Sequence, residues 1–329
     1  MALTFQFCRR LLLAATLLFA AALPAAAHDL RLALQATGTA KWELLAMQAL
    51  GLDVRYDLRL AQRDVADSRA GQIALLAGDA DIILSDFVWV SLQRDAGNAV
   101  ALVPHSLAVG GLMVDPAAGI GSLADLAGKT IAVSGSPVDK SFVILSAEYG
   151  KLTGGNLIDD ADVKFGAPPL VNELLTTGQA QAALNLWNWN SRAKLAGKTE
   201  LISVPDMLKD LGVTETPPLL GWAFFEDNAK ARKADFKGFF DASFETKKAL
   251  LEDDAVWEQI RDAMNVGDDD ALFTQLRDDY RKGIVTKYAA TAMKPATASF
   301  ALMAQFGGKD VVGDITEIPD GTFYKGYRK

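Results

Sequence analysis

The 329-residue sequence predicts an α/β chain folded as two similar lobes, each a parallel or mixed sheet flanked by helices, with a two-strand hinge between them. Three observations lead there. A segment near residue 80 recurs about one hundred positions later. Each copy alternates extended apolar runs with amphipathic ones, the pattern of strands alternating with covering helices. Two further extended runs, one between the copies and one after the second, have the length and place to carry the chain across and back.

The first 27 residues stand apart. Arg9 and Arg10 precede the apolar run "LLLAATLLFAAAL", which ends in "PAAAHD" with small residues at Ala25 and Ala27. This is the form of a secretory signal peptide cut after Ala27, and the run is shorter than the roughly 18 to 20 residues that span a bilayer. The residues flanking the arginine pair lack the twin-arginine pattern, so the general secretory route is expected. The only cysteine, Cys8, precedes the run, so no lipid anchor or disulfide is expected. Without Arg9 and Arg10 the formal charge falls from −8 to −10, which argues against nucleic acid or anionic lipid as a partner.

The repeat fixes the middle of the chain. Residues 74–97, "ALLAGDADIILSDFVWVSLQRDAG", align without a gap on residues 174–197, "LLTTGQAQAALNLWNWNSRAKLAG", with 8 identities in 24 positions. Upstream, residues 31–51 align on 130–150, with Ala33 on Ala132, Lys41 on Lys140 and Gly51 on Gly150. "VALVPHSLAVGGLMVDP" is the crossing run and "TPPLLGWAFFED" the return. The expected division is lobe one at 28–110, lobe two at 111–220, and a mostly helical return to lobe one at 221–329. The stripes Phe236, Phe239, Phe240, Phe244, then Trp257, Ile260, Met264, then Leu272, Phe273, Leu276, Tyr280 read as core packed onto lobe one. The tail "IPDGTFYKGYRK" reads as a surface excursion.

Ligands of open α/β sheets bind at the carboxyl ends of the strands. Four segments qualify: "QATGTAKW" at 35–42, "SDFVW" at 85–89, "SGSPVDKS" at 134–141 and "NLWNWN" at 185–190. Asn185 and Trp187 directly follow a strand and are expected in the cleft, offering an uncharged amide and a flat apolar wall. Trp89 and Trp189 stand where helices begin, a place that suits packing beneath the helix as well as the cleft. The turns "TGT" and "SGSP" present hydroxyls and free amides at helix starts, suited to an anion or to plain capping. Lys41 and Lys140 in the first helical turns favour the anion, whereas Asp86 and Asp139 favour an amine or a hydrogen-bonding heterocycle. Apart from His28 and His105 the chain after residue 27 has no histidine. No zinc cluster, Ser-His-Asp set, G-x-S-x-G or P-loop pattern occurs, so neither a metal, a cofactor nor an enzyme activity is expected. The acidic runs at 159–162, 252–254 and 267–271 lack calcium-loop spacing and read as caps and solvated faces.

These segments together resemble the periplasmic solute-binding proteins of ABC importers, specifically the nitrate/sulfonate/taurine-type (SsuA/THI5-like) family. "SLADLAGKTIAVSGSPVDKSFVIL" carries the resemblance most specifically, joined by "TGTAKWELLAMQALG", "LLAGDADIILSD", "ELLTTGQAQAALNLWNW" and "LLGWAFF". The resemblance implies a type II periplasmic binding protein fold. It implies a monomer that captures a small solute between its lobes and hands it to an ABC permease and its ATPase. By position, the family's contacts fall on Thr37, Gly38, Thr39, Trp42, Ser85, Asp86 and Phe87 in lobe one. Lobe two contributes Ser134, Ser136, Asp139, Asn185 and Trp187, with Trp222 near the return hinge. Where the family commonly has Trp, an acidic residue and Pro, this chain has Asn188 and Trp189, a departure from routine nitrate or taurine recognition. The tryptophans favour an organic cargo with an apolar or aromatic body. Two other readings are an enzyme of the pyrimidine-synthesising kind on this scaffold, and a binding module serving a sensor or a periplasmic dehydrogenase.

Overall fold

The computed structural model describes residues 29–329, so the expected signal peptide and His28 lie outside the described residues. Ten strands form two five-stranded sheets, ordered β2-β1-β3-β10-β4 and β7-β6-β8-β5-β9. The first holds β1 (Leu30–Gln35), β2 (Leu60–Val65), β3 (Ile82–Asp86), β4 (Val100–Ser106) and β10 (Leu220–Phe225). The second holds β5 (Gly110–Val114), β6 (Thr130–Ser134), β7 (Asp162–Gly166), β8 (Ala182–Leu186) and β9 (Thr199–Ser203). In each sheet three strands run parallel, and an antiparallel strand, β10 or β5, sits fourth.

The sequence repeat is a repeat of structure. β3 and the Phe87–Asp95 helix correspond to β8 and the Trp187–Leu195 helix, and β1 with Ala40–Ala49 corresponds to β6 with Lys140–Thr153. Gly78 and Gly178 end the preceding helices in the left-handed region, φ 74° and 77°, where a side chain is strained. That requirement explains one of the identities. Each crossing segment also closes a helix start in the opposite copy's manner. The Phe87 amide donates to the Leu219 carbonyl and the Trp187 amide to the Val109 carbonyl, each at 3.2 Å.

The crossing run becomes β4 and β5, and the return run becomes β10, laid between β3 and β4. The aromatic stripes are buried as expected: Phe236, Phe239 and Phe240 against Phe224, and Trp257, Met264 and Tyr280 in a separate cluster with Trp42. Two expectations need correction. The C-terminal helices do not pack on lobe one alone. Lys294–Val312 lies against both Phe87–Asp95 and Lys140–Thr153, and Asp270–Lys282 lies against Trp187–Leu195. Nor is the tail a surface excursion: Phe323 bridges to Leu102 on β4 and is buried with Tyr324 and Tyr327, because an edge strand offers unpaired amides and carbonyls. Two of the acidic runs cap, Asp253 accepting from the Ala255 amide and Asp269 from the Leu272 amide, whereas in the first run Asp160 accepts from the Tyr149 hydroxyl and Asn156 caps the helix.

Beneath Trp42 lies a buried charged network. Glu43 is fully buried and accepts from Lys247 Nζ at 2.6 Å and from Ser243 Oγ at 2.5 Å. Lys247 also donates to Ser243 Oγ at 2.8 Å, and Trp222 Nε1 donates to the same oxygen at 3.3 Å. His105 Nδ1 stands 3.3 Å from Glu43 Oε2. Burial, with the Lys247 charge adding to it, pushes the His105 imidazole well below its usual range, so it stays neutral. Removing one member of a buried pair strands the other charge. Lys247→Met is therefore expected to cost about 3 to 5 kcal/mol in urea unfolding, and Glu43→Gln combined with it to recover most of that loss.

Candidate functional site

The carboxyl ends of β1, β3, β6 and β8 face one another across the two sheets, and the turns that follow them meet. Asp86 ends β3, and its Oδ1 caps its own helix by accepting from the Trp89 amide at 2.9 Å. Its Oδ2 lies 3.1 Å from Lys140 Nζ, at the first helical position after β6. This ion pair joins the two sheets. Burial alone would lower the Lys140 ammonium, but Asp86 and Asp139 more than offset it and the group is raised. Asp139 caps the same helix through the Ser141 amide at 2.9 Å. Burial pushes its carboxyl up, with nearby Asp86 adding to the shift against the pull of Lys140.

Aromatic rings make the second junction. Trp187, at the start of the helix after β8, meets Trp42 edge to face with ring centroids 6.0 Å apart, and meets Tyr280 at 5.9 Å. Trp42 in turn donates from Nε1 to the Ala263 carbonyl at 3.1 Å and leans on Tyr280 and Trp257. Further along the helix, Ser191 Oγ donates to Asp279 Oδ2 at 2.7 Å and Arg192 Nη2 to the Met264 carbonyl at 2.9 Å. The lobe-two helix is thus held by the C-terminal helices as well as by Trp42.

The expected site residues divide on this geometry. Asp86 and Asp139 stand beside Lys140 at one contact between the sheets, and Trp42 meets Trp187 at the other. Gly38, Thr39 and Ser134 are half-buried at the same strand ends, while Thr37 and Ser136 are exposed. Thr39 starts its helix without a side-chain capping bond, so that role does not explain its hydroxyl. Four others are engaged elsewhere. Phe87 is fully buried beside Phe323, because the first residue of the helix turns back over the sheet it has left. Trp222 sits within β10 under the Lys233–Glu252 helix, its ring 4.7 Å from His105, because β10 carries it inward from the crossing. Ser85 is buried and accepts from Gln72 Nε2 at 3.1 Å. Asn185 spends both ends of its amide as a brace, donating to the Pro168 carbonyl and accepting from the Leu186 amide, each at 2.9 Å.

Lys41, one of the two cations that favoured an anion, is held within its own lobe by Asp64 at 2.8 Å. Lys140, Tyr280 and Asp279 matter more than their sequence setting suggested. Lys140 had a signal in its alignment with Lys41, whereas Tyr280 and Asp279 belong to a helix outside the repeat. Trp89 packs partly buried on the main core, and Trp189 lies half-buried under the Arg192 guanidinium, 5.6 Å from its ring. Among the described residues no group of three His, Cys, Asp or Glu is placed to hold a metal ion, and no helix is long and apolar enough to cross a membrane.

An open cavity of about 290 Å³ adjoins this junction. It is lined by the crossing segment Leu107–Gly110, by Trp187, Asn190 and Lys194 of one helix, by Glu200, Ser203 and Pro205, and by Asp279, Lys282 and Gly283. The cavity thus lies between the crossing segment, the helix after β8 and the carboxyl end of β9. Trp187 belongs to both cavity and junction.

The family profile described as "NMT1/THI5 like" matches residues 37–254. No curated protein sequence matches the chain. Among solved structures, the alkanesulfonate-binding protein SsuA from Xanthomonas axonopodis pv. citri bound to MOPS superposes with a TM-score of 0.68 at 19% identity, covering 93% of this chain and 100% of that one. The periplasmic aliphatic sulphonate binding protein SsuA from Escherichia coli gives 0.65 at 16% identity over 88% and 97% of the two chains. The desulfurization enzyme DSZB gives 0.58 at 13% identity over 90% and 98%. At these identities the likeness shows the fold, that of a two-lobed periplasmic binding protein.

If the Asp86–Lys140 pair holds the sheets together, Lys140→Met should loosen them by about 1 kcal/mol, the upper range for a partly exposed pair. Small-angle X-ray scattering should then give a larger radius of gyration for the variant than for the parent. The pH sign follows from the raised Lys140 value. The pair's contribution is fully present below the unfolded lysine value of about 10.4 and is lost as pH rises through the higher folded value. On the alkaline side the stability gap between parent and variant should therefore close only as pH rises through that folded lysine value.

Proposed function

The chain belongs to the NMT1/THI5-like family, and we propose from that membership that it is the periplasmic solute-binding component of an ABC importer. It captures a small organic solute between two lobes, residues 28–110 with 221–329 and residues 111–220, and delivers it to a membrane permease coupled to an ATPase. Residues 1–27 direct its export, and it acts as a monomer. The observation that carries this reading is the meeting of the strand-end turns of both sheets, with the Asp86–Lys140 pair and the Trp42–Trp187 contact spanning them. Groups from both lobes then satisfy the cargo, so cargo shifts the lobes toward closure. Trp42 and Trp187 supply the apolar wall for an organic body.

An enzyme on this scaffold is the second reading, favoured by the fold shared with DSZB. Against it, His105 is 3% exposed inside the Glu43–Lys247 network, where it cannot serve as a general base for a ligand between the sheets.

The test is thermal unfolding of residues 28–329 with sulfonates, carboxylates, amines, pyrimidines and metal ions. Stabilisation by one organic class, recovered unchanged after incubation, supports a binding protein. Conversion of that compound would support the enzyme, and a flat panel would count against solute capture. With the stabilising compound in hand, Trp187→Ala is expected to weaken binding by about 1 to 3 kcal/mol by calorimetry, the loss of an aromatic anchor.

A further inference from the structure

We propose that the cavity beside the crossing segment is a second small-molecule site, one that takes a zwitterion of amino-acid size. It shares Trp187 with the strand-end junction, but its polar side chains stand on the helix after β8, on β9 and on the Asp270–Lys282 helix, and it does not rest on the cargo reading. Its chemistry comes from five polar side chains, Asn190, Lys194, Glu200, Asp279 and Lys282. Asn190 is 3% exposed, lines the cavity and donates through Nδ2 to the Gly111 carbonyl at 3.0 Å, leaving its Oδ1 with no partner. A buried carbonyl oxygen without a donor is uncommon in a native fold and points to a group that arrives from outside. Only a donor can satisfy it, so the occupant carries an N–H or O–H.

The two ammonium groups on the cavity wall ask for the opposite. Lys194 Nζ pairs with Glu200 Oε2 at 2.5 Å from lobe two, and Lys282 Nζ pairs with Asp279 Oδ1 at 2.7 Å from the C-terminal helix. An ammonium has three donors, and each of these pairs uses one. The remaining donors suit a carboxylate. Asp279 has little left to offer, since its Oδ2 already accepts from Ser191 and Gln275. With two cations and two anions on the wall the site is neutral overall, which matches a molecule carrying both charges better than a simple anion or amine. Trp187 gives it one apolar face.

The volume of about 290 Å³ accommodates an amino acid with a short side chain. Its walls come from the second sheet and its helices, from the segment crossing between the sheets, and from the C-terminal helix Asp270–Lys282.

The probes are L-alanine and L-glutamine, with glycine betaine as the control, since betaine keeps the carboxylate and the positive charge but has no N–H. Calorimetry on residues 28–329 should give a saturable isotherm for at least one of the two amino acids, and binding at least tenfold weaker for betaine. Asn190→Leu removes the unpaired oxygen. Lys194→Met removes one ammonium from a partly exposed pair and keeps the test usable if the buried change unfolds the chain. Each variant that folds should weaken the amino acid by at least tenfold, whereas Lys237→Met, which removes an ion pair within the Lys233–Glu252 helix and lies outside the lining of this cavity, should bind it within threefold of the parent. The proposal is overturned if neither amino acid binds, if betaine binds as well as they do, or if Lys194→Met leaves their affinity unchanged.

Discussion

The buried pair of Glu43 and Lys247 is the constraint from which the rest of the architecture is organised. Glu43 follows Trp42 in the helix after β1, and Lys247 stands on the long C-terminal helix, so their 2.6 Å contact fastens the wall of the cleft to the helical part of the chain. Ser243, Trp222 and His105 join the same cluster from the long helix, the return strand and the crossing strand. A lone charge there would be costly, whereas a paired and hydrogen-bonded one is tolerated and admits few alternative packings. The site residue Trp42 is therefore positioned by its neighbour. Its ring faces Trp187 because Glu43 fixes the rotation of the helix they share.

On that frame the two sheets are built alike and joined at the level of the backbone. The carbonyls of the crossing segments accept from the amides that open the Phe87–Asp95 and Trp187–Leu195 helices. Any rotation of one lobe against the other thus acts at the roots of the helices that bear the site. The C-terminal helices add a second linkage, since Lys294–Val312 touches helices from both lobes and Asp270–Lys282 receives Ser191. The lobes are connected by helix packing as well as by two strands.

Most of the fold was legible in the chain because it is said twice. Gly78 with Gly178 and Lys41 with Lys140 pair in the alignment, and the periodicity around them separates strand from helix without ambiguity. The place of Asp86, Trp42, Asp139 and Trp187 at the strand ends was legible because each follows or closes an extended apolar run. Phe87 and Trp222 were misplaced because position along a segment does not say which face a side chain takes. Asn185 and Ser85 were misread for a related reason: a polar residue at a strand end can be spent on the Pro168 carbonyl or on Gln72 as readily as on a ligand. The straddling helices and the tail had no copy to compare with, and an amphipathic stripe reveals that a helix is buried, not against what.

The perpendicular contact of Trp42 with Trp187 has a spectroscopic consequence. Two indoles 6.0 Å apart on opposite lobes are near enough for their electronic transitions to couple, and Trp257 and Tyr280 extend the array. Withdrawal of Trp187 breaks its contacts with Trp42 and Tyr280 and leaves the cluster of Trp42, Trp257 and Tyr280 intact. Near-ultraviolet circular dichroism would then register the angle between the lobes directly. Since Cys8 is the chain's only thiol, residues 28–329 offer a cysteine-free background in which this native chromophore can be checked against any pair of introduced labels.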